Sequence, residues 1–268
     1  MEYLQSITLG IIQGFTEFLP ISSSAHLVIV PSLFHWQYQG LSFDIAMHLG
    51  TVVAIVAYFW RDWAKLISLA LDNSETVTAE DYPRNFLWQI LVATIPAGAV
   101  GYLIADIVES KLHSPYLLAT NLIVFGLVLF LVDKYARKSL ETKDIRYKQS
   151  FLVGLAQSLA LIPGVSRSGI TMVASRALGL SREKAARFSF LLGTPAMIGA
   201  FVFDLKKITA IHMDLAFVLG FFASLVSGLI AIRFLLAWLK KADFSIFFYY
   251  RILLGALVIG LAVVGWMK

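Results

Sequence analysis

The chain has 268 residues, of which 59% are hydrophobic and 15% charged, and its mean hydropathy is +0.78. This composition is too apolar for a soluble domain and indicates that most of the surface faces lipid. The sequence contains no cysteine, which excludes disulfides, thiolate metal sites and cysteine nucleophiles. The net charge of +5 comes from short basic segments between apolar runs. We expect these segments to orient the chain in the membrane, and we expect no nucleic-acid binding.

The N-terminal segment begins the chain without the basic region and cleavage site of a signal peptide, so we expect it to belong to the fold. Six apolar runs then supply roughly 20 residues each, enough to cross a hydrocarbon core of about 30 Å as helices. They lie at 41–60, 86–105, 116–132, 186–203, 213–238 and 246–266. With short loops they use nearly the whole length, which predicts one integral membrane domain over 1–268.

Two further apolar regions, 4–34 and 151–180, are each interrupted by a proline and a cluster of serines. The interruptions are LPISSSAH, from Leu19 to His26, and IPGVSRSG, from Ile162 to Gly169. Proline removes a backbone donor and clashes with the preceding turn, so each region should form two short helices that meet at a break. The predicted fold is an all-α polytopic membrane protein with six transmembrane helices and two re-entrant broken-helix hairpins.

An internal repeat relates the two halves of the chain. A shift of 143 residues places Pro20 on Pro163, Ser23 on Ser166, and the Leu-Gly-Thr of 49–51 on that of 192–194. The shared spacing predicts a first repeat over 1–132 and a second over 150–268.

The distribution of Lys and Arg predicts how these repeats lie in the membrane. If each hairpin returns to the side where it starts, one side holds 16 of the 22 Lys and Arg residues, in segments 61–85, 133–149, 176–187 and 238–251. The other side holds 4, namely Lys111, Lys206, Lys207 and Lys268. The positive-inside rule then places both termini outside and 133–149 in the cytoplasm. The halves become an inverted-topology repeat, which brings broken helices together near the bilayer centre.

The first hairpin carries ionisable side chains inside an apolar segment. Gln13 and Glu17 are four residues apart and share a helix face, so both can point into one polar cavity. An ionised group at membrane depth costs about 3 to more than 10 kcal/mol without water or a partner, so Glu17 indicates a functional site. The alternatives are that Glu17 caps the next helix or lies at the membrane interface.

The break of the first hairpin contains Ser22, Ser23 and Ser24, and His26 follows within a turn. Serine hydroxyls can cap the second short helix while its free backbone N–H groups hold an anion such as phosphate. His26 suits a proton shuttle, an activator of Ser23 or a nucleophile towards phosphorus, because histidine titrates near neutral pH. A packed, hydrogen-bonded histidine is the alternative.

The second hairpin supplies Ser166, Arg167 and Ser168. Arg167 is the only Lys or Arg that we expect deep in the membrane, and its guanidinium offers phosphate oxygens a rigid fork of donors. The alternative is an internal ion pair with Glu17. Either interpretation places Arg167 against the first hairpin.

These motifs closely resemble the bacterial undecaprenyl-diphosphatase family, also called the bacitracin-resistance family, over essentially the whole length. The (E/Q)xxxE motif of that family is matched by Gln13 to Glu17, FLPxSS by Phe18 to Ser23 with the histidine at His26, and PGxSRSG by Pro163 to Gly169. The resemblance implies hydrolysis of undecaprenyl diphosphate to the monophosphate in the bacterial inner membrane. That activity recycles the lipid carrier for peptidoglycan synthesis, cell-wall biogenesis and cell shape, and confers bacitracin resistance.

The resemblance also implies that Glu17, Ser23, His26 and Arg167 are the catalytic residues. We expect Gln13, Ser22, Ser24, Ser166 and Ser168 to contribute to binding the diphosphate, which gains most from preorganised donors. Mg²⁺ or Ca²⁺ is expected as a cofactor, with Glu17 as its protein ligand. Gln in the first, variable place of the motif weakens any claim that two carboxylates hold the ion.

Several alternatives stay open from the sequence. The nucleophile is Ser23, His26 or water. The oligomeric state is also open, and a homodimer is one alternative. A polyprenyl-phosphate flippase or other transporter would share the inverted repeat, although simple anion binding does not require the Ser, His and Glu cluster. The type 2 phosphatidic acid phosphatases are disfavoured, because Val173 stands where their second histidine would be.

Overall fold

The computed structural model describes residues 2–71, 81–111, 114–205 and 213–266, and these contain helices but no strand. The helices are α1 (Glu2–Phe18), α2 (Ser23–Phe34), α3 (Leu41–Tyr58), α4 (Trp60–Leu71), α5 (Phe86–Lys111), α6 (Pro115–Tyr135), α7 (Tyr147–Gln157), α8 (Arg167–Ala177), α9 (Arg182–Leu205), α10 (Leu215–Leu239) and α11 (Ser245–Val263). Short 3-10 turns occur at Thr142–Asp144 and Ser158–Leu161.

Six helices are long and apolar enough to cross a membrane, which confirms the all-α polytopic fold. These spans are Leu41–Tyr58, Phe86–Ile104, Pro115–Tyr135, Arg182–Phe203, Leu215–Leu239 and Ser245–Val263. They lie within four residues of the predicted boundaries at each end. Of the lysines counted on the outer side, Lys206, Lys207, Lys268 and the side chain of Lys111 lie outside the described residues.

Helix α4 was not predicted from the sequence. It follows α3 after a single residue and buries only Leu66 and Leu69, and its first half carries Arg61, Asp62 and Lys65. Such a helix lacks a long apolar run, so a search for membrane spans does not find it.

Both predicted breaks are present. Ser22 and Ser166, which precede the second helix of each pair, have φ angles of 73° and 75°. Backbones of this kind cost on the order of 1–3 kcal/mol in a residue with a side chain, so the surrounding structure must impose them. The two serines are 144 residues apart, one more than the shift that pairs Ser23 with Ser166. The equivalent positions at the breaks are therefore Ser22 and Ser166.

Hydrogen bonds join the segments at the two ends of each broken pair. The side chain of Gln5 donates to the carbonyl of Gln37 at 3.0 Å, which joins the start of α1 to the segment after α2. The N–H of Ser139 donates to the carbonyl of Gly179 at 3.0 Å, which joins the loop before α7 to the end of α8.

The first helices of the two pairs pack against partners in the opposite half of the chain. Helix α1 lies along α10, and α7 lies along α5. Glycines permit this approach: a Cβ at Gly10 would lie 2.6 Å from the carbonyl oxygen of Gly220, and one at Gly154 would overlap the carbonyl of Ala93. Close packing of small residues is a main source of helix association where lipid removes the hydrophobic drive.

An aromatic cluster fixes the rotation of α1 beside the first break. Phe18 is fully buried, and its ring meets that of Phe190 edge to face at 5.6 Å, with Phe59 6.0 Å from Phe190. Each such pair adds about 0.5–1.5 kcal/mol beyond burial alone. Because Phe18 adjoins Glu17, this packing sets the direction in which the carboxylate points.

Gly154→Ala is expected to destabilise the protein by about 1–3 kcal/mol, since the new methyl group has no room against the α5 backbone. Gly199→Ala is the matched control, because nothing lies within 4 Å of a Cβ there and alanine favours a helix by about 1 kcal/mol. The measurement is the unfolding midpoint of the purified protein in detergent. Equal midpoints for the two variants would show that the contact between α5 and α7 does not require glycine.

Candidate active site

Glu17, near the end of α1, lies where side chains of both broken pairs meet. Its Oε1 accepts a hydrogen bond from Arg167 Nη2 at 2.9 Å, and its Oε2 accepts from Ser23 Oγ at 2.7 Å and from Gln13 Nε2 at 3.0 Å. The Glu17 and Arg167 side chains keep 14% and 18% exposure, so the pair is reachable from outside the protein. The structure thus brings Gln13, Glu17 and Ser23 together with Arg167.

Arg167 is held on two sides. Its Nη1 donates to the carbonyl of Gly193 at 3.0 Å, while Nη2 donates to Glu17. A Cβ at Gly193 would lie 3.2 Å from Nη1, so the glycine of the repeated Leu-Gly-Thr provides both an acceptor and the space for the guanidinium. A guanidinium has five N–H donors, and the remaining ones are available to an anion.

The other serines expected to bind substrate are mostly occupied by contacts within the protein. Ser22 Oγ lies 3.1 Å from Ser24 Oγ, and Ser166 Oγ lies 3.3 Å from Ser168 Oγ. Ser168 Oγ also donates to the carbonyl of Leu19 at 3.1 Å, so the two breaks touch. The Ser166 hydroxyl caps α8, whereas Ser22 makes no side-chain cap on α2, contrary to the expectation for the first break.

The first turn of α2 presents backbone donors next to Glu17. The N–H groups of Ser23 and Ser24 have no acceptor among the residues that the structure describes. A helix N-terminus carries roughly half a positive charge, and its free N–H groups form a ready site for a phosphate oxygen.

His26 is not hydrogen-bonded to Ser23. Its Nδ1 lies 2.7 Å from the carbonyl oxygen of Ser22, and its Nε2 lies 2.7 Å from the hydroxyl of Tyr250. A carbonyl only accepts, so we infer that Nδ1 carries the proton and that Nε2 of the neutral ring accepts from Tyr250. Both ring nitrogens are therefore occupied, and the expected hydrogen bond that would let His26 activate Ser23 is not formed.

Arg251 does not belong to the inner segment 238–251 in which its position in the sequence places it. The structure buries it completely, seven residues into α11, so Arg167 is not the only basic residue at depth. The inner segments then hold 15 rather than 16 Lys and Arg residues. An arginine inside an otherwise apolar helix was the available signal, but it coincided with the assumed end of the segment.

The guanidinium of Arg251 joins the two breaks. It donates only to backbone carbonyls, those of Pro20, Asn121, Leu122, Gly164 and Val165, at distances from 2.8 to 3.2 Å. Asn121 Nδ2 adds a donor to the carbonyl of Pro163 at 2.8 Å. Asn121 of α6 and Arg251 of α11 thereby hold the backbone that positions Ser23 and Arg167.

The donor atoms around Glu17 fit a hard divalent ion only in part. Among the described residues, no group of three His, Cys, Asp or Glu side chains could hold a metal ion. Gln13 Oε1 is buried and has no hydrogen-bond partner there, so this oxygen and the Glu17 carboxylate offer two oxygen ligands. Mg²⁺ and Ca²⁺ prefer oxygen, and phosphate and water would complete the coordination shell.

The fold and this cluster define a class of protein: a polytopic α-helical membrane protein whose two broken helix pairs bring a carboxylate, a serine and an arginine together in its interior. The family model described as bacitracin resistance protein BacA matches residues 6–257, and the chain belongs to this family.

Curated relatives named undecaprenyl-diphosphatase are similar over almost their whole length. The protein of Desulforudis audaxviator is 48% identical over 262 residues, which is 98% of each chain. That of Pelotomaculum thermopropionicum is 48% identical over 98% of this chain and 97% of its own. That of Moorella thermoacetica is 44% identical over the full length of both chains.

Arg251→Lys is expected to loosen both breaks, because the compact ammonium of lysine cannot reach carbonyls of two breaks and α6 at once. Each buried carbonyl left unpaired costs about 1–3 kcal/mol. Hydrogen exchange measured by mass spectrometry should show faster exchange in peptides covering 19–25 and 162–170. The control is Arg233→Lys, at an exposed arginine of α10. Unchanged exchange in the Arg251 variant would contradict its role in joining the breaks.

Proposed function

We propose that this chain hydrolyses undecaprenyl diphosphate to undecaprenyl phosphate and inorganic phosphate, which recycles the lipid carrier for peptidoglycan synthesis and confers bacitracin resistance. The observation that carries the proposal is that Glu17, Ser23 and Arg167, which lie in matched motifs of the family, form one hydrogen-bonded cluster. Relatives with this activity in their names match over nearly the full chain.

Substrate binding is assigned to Arg167 and to the first turn of α2. A phosphate oxygen can replace Glu17 as the acceptor of the hydrogen bond from Arg167 Nη2. The hydrogen bond from Nη1 to the carbonyl of Gly193 keeps the guanidinium in place during this replacement. The N–H groups of Ser23 and Ser24 supply donors to the same phosphate. Displacement of Arg167 from Glu17 by the substrate leaves the carboxylate a stronger base.

The chemical step is assigned to Ser23 and Glu17. Ser23 Oγ already donates to Glu17 Oε2 at 2.7 Å, which is the geometry of a nucleophile with its general base. Ser23 Oγ forms a bond to the terminal phosphorus, its proton passes to Glu17, and the bond from that phosphorus to the bridging oxygen breaks to release undecaprenyl phosphate. Glu17 gives this proton to the departing undecaprenyl phosphate and is then a base again. Water attacks the phosphoserine and gives a proton to Glu17, the bond from phosphorus to Ser23 Oγ breaks, and Glu17 returns the proton to Ser23 Oγ as inorganic phosphate leaves.

His26 and Tyr250 are assigned to positioning. The Nδ1–H of His26 holds the carbonyl of Ser22, and Tyr250 fixes the ring through Nε2. This arrangement maintains the strained turn that presents Ser23. Direct catalysis by His26 stays a prediction from the resemblance.

A divalent ion, Mg²⁺ or Ca²⁺, is proposed as a cofactor held by the Glu17 carboxylate and the amide oxygen of Gln13. When bound, it would neutralise charge on the phosphate oxygens. The unpartnered buried Gln13 Oε1 supports this ligand set.

The protein is proposed to lie in the bacterial inner membrane with both termini outside. The excess of 15 to 4 basic residues supports this orientation. Helix α1 packs on α10 and α7 packs on α5, so each half contributes its first helix to the other half. This arrangement supports an inverted repeat over 1–132 and 150–268. The contact between the two breaks supports two re-entrant hairpins.

Release of inorganic phosphate from undecaprenyl diphosphate by the purified protein in detergent tests the function. We expect Ser23→Ala to reduce turnover by a factor on the order of 10³ or more, since it removes the nucleophile. Arg167→Lys should lose about 10²-fold, since a point donor cannot replace the fork. Ser32→Ala is the control, because Ser32 lies in α2 and bonds only to its own helix. A substrate that is bound and moved across vesicles without phosphate release would favour a transporter instead.

Removal of divalent ions with a chelator should lower turnover at least tenfold, and added Mg²⁺ or Ca²⁺ should restore it. Gln13→Leu should raise the Mg²⁺ concentration needed for half-maximal activity, because it removes one of two protein ligands. Full activity in chelator would reject the metal proposal while leaving the hydrolytic one intact.

A further inference from the structure

A cavity of about 470 Å³ opens where α6 and α10 end and α9 begins, away from the breaks. Five basic side chains line it, namely Lys134, Lys138, Arg176, Arg182 and Lys240, against the two acidic ones of Asp133 and Glu183. The lining therefore carries a net charge of +3.

The acidic residues are already engaged. Asp133 is buried and accepts from the Nε atoms of Arg176 and Arg182 at 2.9 Å and from the backbone N–H of Phe244 at 3.3 Å. Glu183 lies 3.4 Å from the ammonium of Lys240. Neither carboxylate is left to balance the other basic groups, of which Lys138 lies 3.7 Å from Glu141, a residue outside the lining.

Donors remain in excess on the open side of the cavity. Arg182 uses only its Nε within the described residues, so both Nη groups are available on a side chain that is 36% exposed. Lys134 has no carboxylate within ion-pair distance there and lies over the rings of Phe130 and Tyr135 at 5.8 and 5.6 Å. A guanidinium fork beside ammonium groups is the arrangement that recognises a phosphate.

We propose that this cavity binds the phosphate head group of an anionic phospholipid from the cytoplasmic leaflet. It lies at the ends of three helices that are long enough to cross a membrane, which is the depth of the head groups. Basic pockets between helices on the cytoplasmic side suit such lipids. This site does not depend on the proposed hydrolysis.

The position of the cavity gives the lipid a structural consequence. Arg176 anchors the end of α8 to the carbonyls of Leu180, Asp133 and Ala136, and Arg167 stands at the start of the same helix. A head group held between α6 and α9 would therefore stabilise the helix that carries the active-site arginine.

The test uses the full-length protein in detergent, with phosphatidylglycerol added in mixed micelles and phosphatidylcholine as the neutral comparison. The variant replaces the three exposed lysines of the lining, Lys134, Lys138 and Lys240, by Gln. The matched control replaces Arg137, Lys143 and Lys148, which are exposed outside the lining, so that the charge change is equal. Arg176 and Arg182 stay unchanged, because they hold Asp133.

We expect phosphatidylglycerol, but not phosphatidylcholine, to raise the unfolding midpoint of the unaltered protein and to be retained in native mass spectrometry. The lysine variant should need at least tenfold more of this lipid for the same shift, and the control variant should behave like the unaltered protein. If both variants lose the lipid-dependent shift of the unfolding midpoint equally, the shift depends on overall charge alone, and the proposed site is overturned. An equal shift with inorganic phosphate alone would overturn the lipid assignment.

The leaflet is tested separately with Ser139→Cys, in the loop beside the cavity. This position should resist an impermeant thiol reagent added to intact cells and react after lysis. Labelling of intact cells would overturn the cytoplasmic assignment.

Discussion

The break in each helix pair creates the constraint on which the rest of this structure depends. A break leaves backbone carbonyls without helical partners, and inside an apolar bundle each costs about 1–3 kcal/mol if it stays unpaired. Side chains from distant parts of the chain supply the donors: Ser168 for Leu19, Asn121 for Pro163, and Arg251 for Pro20, Gly164 and Val165. The bundle must therefore assemble completely before either break has its shape.

The active-site cluster uses the same device with opposite charges. Burying Glu17 or Arg167 alone would cost several kcal/mol, and their contact at 2.9 Å offsets part of this cost. The pair is exposed enough for a phosphate to compete for the guanidinium. A contact that stabilises the empty protein is thus also the contact that substrate replaces, which links binding to the basicity of Glu17.

Hydropathy and proline chemistry act locally, so the six spans and both breaks could be predicted from the sequence. The cost of isolated charges in lipid likewise predicted that Glu17 and Arg167 would lie together. The partners of His26 could not be predicted, because Tyr250 is 224 residues away and its position depends on the packing of α11. The role of Arg251 could not be predicted for a related reason. The carbonyls to which it donates lie far away in the sequence and come close only in the folded protein. The two breaks differ by one residue in length: their prolines are related by a shift of 143 residues, but Ser22 and Ser166 are related by a shift of 144. The alignment of the prolines therefore does not predict which serines are equivalent.

The pairing of Glu17 with Arg167 also sets an order of events during biosynthesis. The two residues are 150 positions apart, so at about 5–20 residues per second the carboxylate waits roughly 8–30 s for its partner. Helix α1 waits longer still for α10, the surface against which Gly10 packs. During that interval α1 carries an unpaired carboxylate and exposes the glycine surface that later packs on α10, so it is not stable in lipid on its own. The insertion machinery, or water retained beside it, must accommodate the first hairpin until the second half of the chain emerges.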